Sequence, residues 1–66
     1  MKPAQVEKTF DHLGLGMAAI SRLFQTGRST IYRWKDDGTD GSNAILLRLL
    51  ATGKVTVRDI EAAHDH

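Results

Sequence analysis

The chain has 66 residues, with nine Lys and Arg against eight Asp and Glu and a formal net charge of +1. A chain this short makes one domain that buries only about 60% of its unfolded surface, which leaves its stability marginal. It has no cysteine, so neither a disulfide nor a thiolate metal site can staple it, and a second copy of itself is the expected support.

The first helix is predicted over residues 3–13. Pro3 suits a first turn, where its missing N–H would be unpaired in any case. Val6, Phe10 and Leu13 recur at i, i+4 and i+7 and form one apolar stripe, which Gly14 then ends. A second helix is expected over residues 17–24, with Ile20, Leu23 and Phe24 inward and Met17 or Ala18 completing the stripe. A third is expected over residues 28–35, anchored by Ile31 and Trp34 and without an acidic residue. The break between the two is Gln25-Thr26-Gly27, with Gly27 expected to take the unusual backbone dihedral.

Residues 36–41, with three aspartates, two glycines and no apolar side chain, read as a loop. Ser42 or Asn43 is positioned to cap a fourth helix that continues to near Gly53. Its core, Ala44 to Leu50, carries one Ile and four Leu, more apolar surface than a helix with one wet face needs. A last helix is expected over residues 57–63, with Thr56 and Asp59 spaced as a capping box, and His64-Asp65-His66 as a frayed tail rather than a metal site. The strand candidate, Lys54 to Val57, is too short to compete. The fold class expected is therefore all-α, one compact bundle of about five helices over residues 1–66.

Net charge understates the local pattern. From His12 to Lys35 there is no acid, while Arg22, Arg28, Arg33 and Lys35 all fall there. Local charge is what meets phosphates. Two short helices with a tight break, the second polar and cationic, suit a helix-turn-helix that lays its second helix in the major groove of DNA. Ile20-Ser21-Arg22-Leu23-Phe24 followed by Arg28-Ser29-Thr30-Ile31-Tyr32-Arg33-Trp34 resembles the helix-turn-helix of the Cro/C1-type (XRE-like) regulators, which include lambdoid phage repressors. The likeness covers residues 16–38 and extends loosely to the fourth helix. The family's turn usually has glycine where this chain has Gln25 and an apolar residue where it has Thr26. Ser21 stands in a slot usually held by alanine, and is small enough to fit.

The arrangement implies roles for particular residues. Arg28, Ser29, Tyr32 and Arg33 are the candidates for reading base edges, since they lie at the start and along one side of the recognition helix. Arg22, Thr30 and Lys35 are the candidates for phosphate contacts, which position without reading sequence. Leu46, Leu47, Leu50, Val57 and Ile60 are the expected dimer contacts, from the excess of apolar positions in the last two helices.

The resemblance implies a homodimeric, sequence-specific repressor that binds an inverted-repeat operator in double-stranded DNA, its own promoter included. It points to small phage or mobile-element regulators, with anti-CRISPR-associated repressors and antitoxin-like regulators both left open. The alternative is a helical protein-interaction module, suggested by the near-neutral charge and the apolar fourth helix. A non-specific nucleic-acid binder comes third. No cofactor, metal or small-molecule substrate is expected. Gly14-Leu15-Gly16 follows a helix and lacks the third glycine of a dinucleotide loop. No Ser, His and carboxylate set sits on a scaffold large enough to exclude water, so no enzyme is expected. No apolar run reaches the roughly 18 residues of a membrane span, and no signal-peptide core follows Met1-Lys2, so the expected location is cytoplasmic, at the nucleoid through DNA.

Overall fold

A computed structural model describes residues 1–64. Five helices follow one another: α1 (Pro3–Leu13), α2 (Met17–Leu23), α3 (Arg28–Asp37), α4 (Gly41–Ala51) and α5 (Val57–Ala63), with no strand among the described residues. The fold is all-α. α3 and α4 pack on α1, and α2 bridges α3 and α5. Among the described residues, no helix is long and apolar enough to cross a membrane.

The core follows the apolar spacing of the sequence. Val6 and Phe10 of α1, Ile20 of α2, Ile31 and Trp34 of α3 and Leu47 of α4 form one buried cluster, flanked by Met1, Leu15, Met17 and Phe24. Two polar side chains are buried with it, and each hydroxyl has a partner. Thr9 donates to the Gln5 carbonyl at 2.8 Å and Ser21 to the Ala18 carbonyl at 3.0 Å. A buried hydroxyl without such a bond would cost about 1–3 kcal/mol.

The α2–α3 turn departs from expectation. Gln25, not Gly27, takes the left-handed conformation, at φ 52°, while Gly27 is extended at φ −76° and ψ 157°. The reason is the helix ending itself. The Thr26 N–H donates to the Ser21 carbonyl at 2.9 Å and the Gln25 N–H to the Arg22 carbonyl at 3.2 Å. This six-to-one and five-to-two pair is a Schellman ending, which requires its penultimate residue to be left-handed. The end of α4 repeats the pattern with Gly53 in that place, at φ 75°, and Lys54 N–H on the Leu49 carbonyl at 3.0 Å.

α3 is two residues longer than expected and includes Asp36 and Asp37, so it is not free of acids. Polar composition alone carries no stop signal, and the helix runs to Gly38, whose φ of 82° and ψ of −172° leave the helical region. A Cβ on Gly38 would collide with the Met1 carbonyl oxygen. That carbonyl accepts from the Thr39 N–H at 3.0 Å, and the Met1 ammonium donates to the Thr39 carbonyl at 2.6 Å, so the two segments lie side by side. α4 begins at Gly41 with Asp40 as its N-cap residue, ahead of Ser42 and Asn43.

α5 has the predicted reciprocal cap. The Asp59 N–H donates to the Thr56 hydroxyl at 3.1 Å, and the Thr56 N–H donates to the Asp59 carboxylate at 2.9 Å. No residue of α5 is fully buried. His64 is not frayed: its ring Nε2 lies 2.8 Å from the Leu23 carbonyl oxygen, tying the end of α5 to α2. Asp65 and His66 lie outside the described residues.

Candidate nucleic-acid interface

The position of α3 is set from beneath. Ile31 is fully buried and Trp34 nearly so, and their three-residue spacing puts both on one side of the helix. The opposite side is then fixed by the 3.6-residue repeat. Ser29, Tyr32, Arg33 and Asp36 occupy it, and all are exposed, Tyr32 at 54%. Arg28 opens the helix and is exposed as well. Thus four of the residues expected to read bases, Arg28, Ser29, Tyr32 and Arg33, are together on one open face. None of the four side chains hydrogen-bonds or ion-pairs within the described residues.

Neither the sequence nor the structure matches any family model, curated protein or solved structure.

The expected phosphate contacts are more scattered. Thr30 is half-buried at the edge of the α3 face. Lys35 points toward α1, its ammonium 3.8 Å from the Glu7 carboxylate. That pair is long and solvated, so it contributes little and is easily exchanged. Arg22 is exposed but lines a groove with Leu15, Ala19, Leu23, Val57, Glu61 and His64, on the α5 side of α2. It is not brought beside the α3 residues.

Electrostatics divides α3 along its length. Arg28 and Arg33 carry positive charge in its first two turns, while its last turn holds Asp36 and Asp37 beside Lys35. Gly16 and Gly27 are the N-cap residues of α2 and α3, and no side chain caps either helix. The Thr30 N–H donates to the Gly27 carbonyl at 3.2 Å, which leaves the N–H groups of Arg28 and Ser29 open to an anion where the dipole favours negative charge. Asp36 is the residue that sequence reading missed. It follows Tyr32 by four and Arg33 by three, which puts it on their face as soon as the helix is known to continue.

The expected dimer contacts are corrected by burial. Leu47 is 0% and Leu50 2% exposed, so both are spent on the chain's own core and are not available to a partner. They lie on the side of α4 turned inward, with Ala44. Leu46, Val57 and Ile60 remain half-buried at the surface. Ile45 is 57% exposed, and with half-buried Leu46 and Leu49 it makes the outward apolar strip of α4. Sequence reading overlooked Ile45 because every position from 45 to 50 but Arg48 is apolar, and the pattern carries no phase.

Proposed function

We propose that this chain is a sequence-specific DNA-binding regulator that inserts the N-terminal half of α3 into the major groove. The observation that carries the reading is the α3 face itself. Arg28, Ser29, Tyr32 and Arg33 are exposed together and unpaired, on a helix whose other side is locked by Ile31 and Trp34. Arginine can donate two hydrogen bonds to guanine, and Ser29 and Tyr32 can reach adjacent edges or phosphates. The open first turn of α3 suits a phosphate. The left-handed residue at Gln25 falls in the slot where Cro/C1-type regulators usually have glycine, which supports the resemblance at one of the two turn positions where the sequence departs from it.

In this reading the chain acts as a homodimer through Ile45, Leu46, Leu49, Val57 and Ile60, and represses by occupying a promoter, its own included. A phage or mobile-element regulator, an anti-CRISPR-associated repressor among them, fits this mechanism. Selection of bound duplexes from a random library at about 150 mM salt tests it, because purely electrostatic binding is weak there. An inverted repeat with half-site centres about 34 Å apart is the expected result. No enrichment by folded protein would refute it. That outcome would favour the second reading, an antitoxin-like protein-interaction module, to which the exposed Ile45 strip points.

A further inference from the structure

We propose that the groove between α1 and α4 is a phosphate-binding site separate from the α3 face. The groove has a volume of about 480 Å³ and is lined by Met1, Gln5, Lys8, Thr9, His12, Arg48, Ala51 and Thr52. No residue of α2 or α3 takes part. Lys8 and Arg48 bring positive charge to it, His12 adds a ring, and no carboxylate lines it. Lys8 and His12 stand one turn apart on α1, a spacing that puts both side chains on the same face of the helix. Arg48 faces them from α4. None of the three forms an ion pair among the described residues. Lys8, His12 and Arg48 are exposed at the rim of a shallow groove whose apolar wall is Met1 and Ala51, so its charge is of one sign.

The hydrogen-bond inventory selects the ligand. The Thr9 hydroxyl already donates to the Gln5 carbonyl at 2.8 Å, and the Thr52 hydroxyl to the Arg48 carbonyl at 2.9 Å. The Gln5 side-chain oxygen accepts the Lys2 N–H at 3.0 Å, which leaves its amide NH₂. What remains unspent among the lining side chains is mainly a set of donors, the Lys8 ammonium, the Arg48 guanidinium and the Gln5 amide, with a His12 ring that can donate from one nitrogen. A donor set of this kind suits a group with several acceptor oxygens and negative charge, which is a phosphate. His12 and Arg48 also stand in the last turns of their helices, where a cation offsets the terminal carbonyls; that role requires no ligand. The phosphate belongs either to a free phosphorylated molecule or to the backbone of a duplex bound elsewhere on the protein.

The test is titration of the full chain with inorganic pyrophosphate at 150 mM NaCl, followed by amide NMR shifts, for wild type, Lys8→Gln/Arg48→Gln and Arg28→Gln/Arg33→Gln. Saturable shifts centred on residues 5–12 and 48–52, weakened at least tenfold in the first variant and unchanged in the second, support the site. Shifts that do not saturate, or that fall equally in both variants, overturn it. A duplex arm separates the sources. If the phosphate is a duplex phosphate, Lys8→Gln/Arg48→Gln lowers the dependence of log K on log salt by about 2, at about 0.9 per contact. If it is a free ligand, that slope is unchanged while pyrophosphate binding is lost. The pyrophosphate arm contains no duplex and uses the α3 variant only as its control, so its outcome is independent of whether the chain binds DNA.

Discussion

Phe24 and Trp34 meet edge to face, with ring centroids 5.2 Å apart and planes at 84°. Phe24 closes α2 and Trp34 lies in the last turns of α3, so this contact fixes how α3 is held against its neighbour. The geometry directs the positive ring edge at the negative ring face, worth about 0.5–1.5 kcal/mol beyond burial. Phe24→Leu retains apolar bulk and loses that term, so it should cost about 1 kcal/mol. Trp34→Ala should cost about 3–5 kcal/mol, comparable with the whole stability of so small a domain, and leave the chain unfolded. Urea unfolding of Phe24→Leu reads the first effect directly, because Trp34 is the one tryptophan and its emission reports on this contact. Unchanged stability in Phe24→Leu would show that the rings touch without coupling.

Gln25 and Gly53 occupy the same place in two Schellman endings, one with a side chain and one without. A non-glycine residue held left-handed costs about 1–2 kcal/mol, partly offset by the greater freedom glycine loses on folding. Gln25→Gly should therefore stabilise the protein by about 0.5–1 kcal/mol and raise the melting temperature by roughly 2–8 °C. Gly53→Ala should move it in the opposite direction. Thermal melts of the two variants check the pair, and a loss of stability in Gln25→Gly contradicts the turn as described.

Gly38 is constrained twice, by its dihedrals and by the Met1 carbonyl against its Cα. Relieving the collision of Gly38→Ala requires the backbone of the first residues to shift, breaking the paired bonds to Thr39. We expect Gly38→Ala to cost about 2–3 kcal/mol, with amide shifts that spread to residues 1–3 as well as 38–41. An effect confined to residues 37–39 would mean the N-terminal segment adapts without cost.

The helices were legible because their inward positions recur cleanly: Val6 with Phe10, Ile20 with Leu23, Ile31 with Trp34. The Thr56–Asp59 cap was legible because it is local, two side chains satisfying two N–H groups three residues apart. What composition hid was anything set by a distant partner. α3 absorbs Asp36 and Asp37 because Gly38, held by Met1, is the first residue able to leave the helix. Ser42 and Asn43 looked like caps, but the chain enters α4 two residues earlier, where Asp40 is drawn to the Met1 ammonium at 3.6 Å. In the run from Ile45 to Leu50, which apolar residues face inward depends on where α1 lies, so Leu47 and Leu50 were misassigned to a partner. On the candidate interface, periodicity puts residues one turn apart, Ser29 with Arg33 and Arg28 with Tyr32, on the side of α3 that is exposed. It carries no direction for Arg22 or Lys35, whose neighbours are on α5 and α1.

α5 has no fully buried residue, so its cap and its tie to α2 carry much of its hold. Hydrogen bonds from the Thr56 backbone N–H, and then from its hydroxyl, pull the Asp59 carboxyl below the ordinary carboxylate value. A lowered folded-state pKa means that this stabilisation is present above the unfolded-state value and is lost as pH falls through the folded one. Exchange protection of the α5 amides should thus hold from neutral pH to about 4 and decline below it, ahead of the amides of α1. Asp59→Ala should remove that pH dependence and leave α5 uniformly less protected. If α5 and α1 lose protection together in acid, the cap is not what secures α5.

The division of charge along α3 makes the DNA reading quantitative. Arg33 lies on the open face, one turn beyond Ser29, and reaches the groove if any α3 side chain does. Arg33→Ala should lose about 1–3 kcal/mol of affinity for the selected site and relax preference at one base position, because a bidentate contact to guanine discriminates by that amount. Asp36 shares the face but brings negative charge toward the phosphates. Asp36→Asn should tighten binding to selected and random duplexes alike, by about 0.5–1 kcal/mol at low salt, with base preference unchanged. Lys35→Ala should have a smaller effect than Arg33→Ala, since Lys35 leans toward Glu7 and must leave it to reach a phosphate. Fluorescence anisotropy with one selected and one scrambled duplex, at two salt concentrations, separates the three. Wild-type binding by Arg33→Ala, or sequence-dependent tightening by Asp36→Asn, would place the groove-facing side of α3 elsewhere than on the line of Ser29, Tyr32 and Arg33.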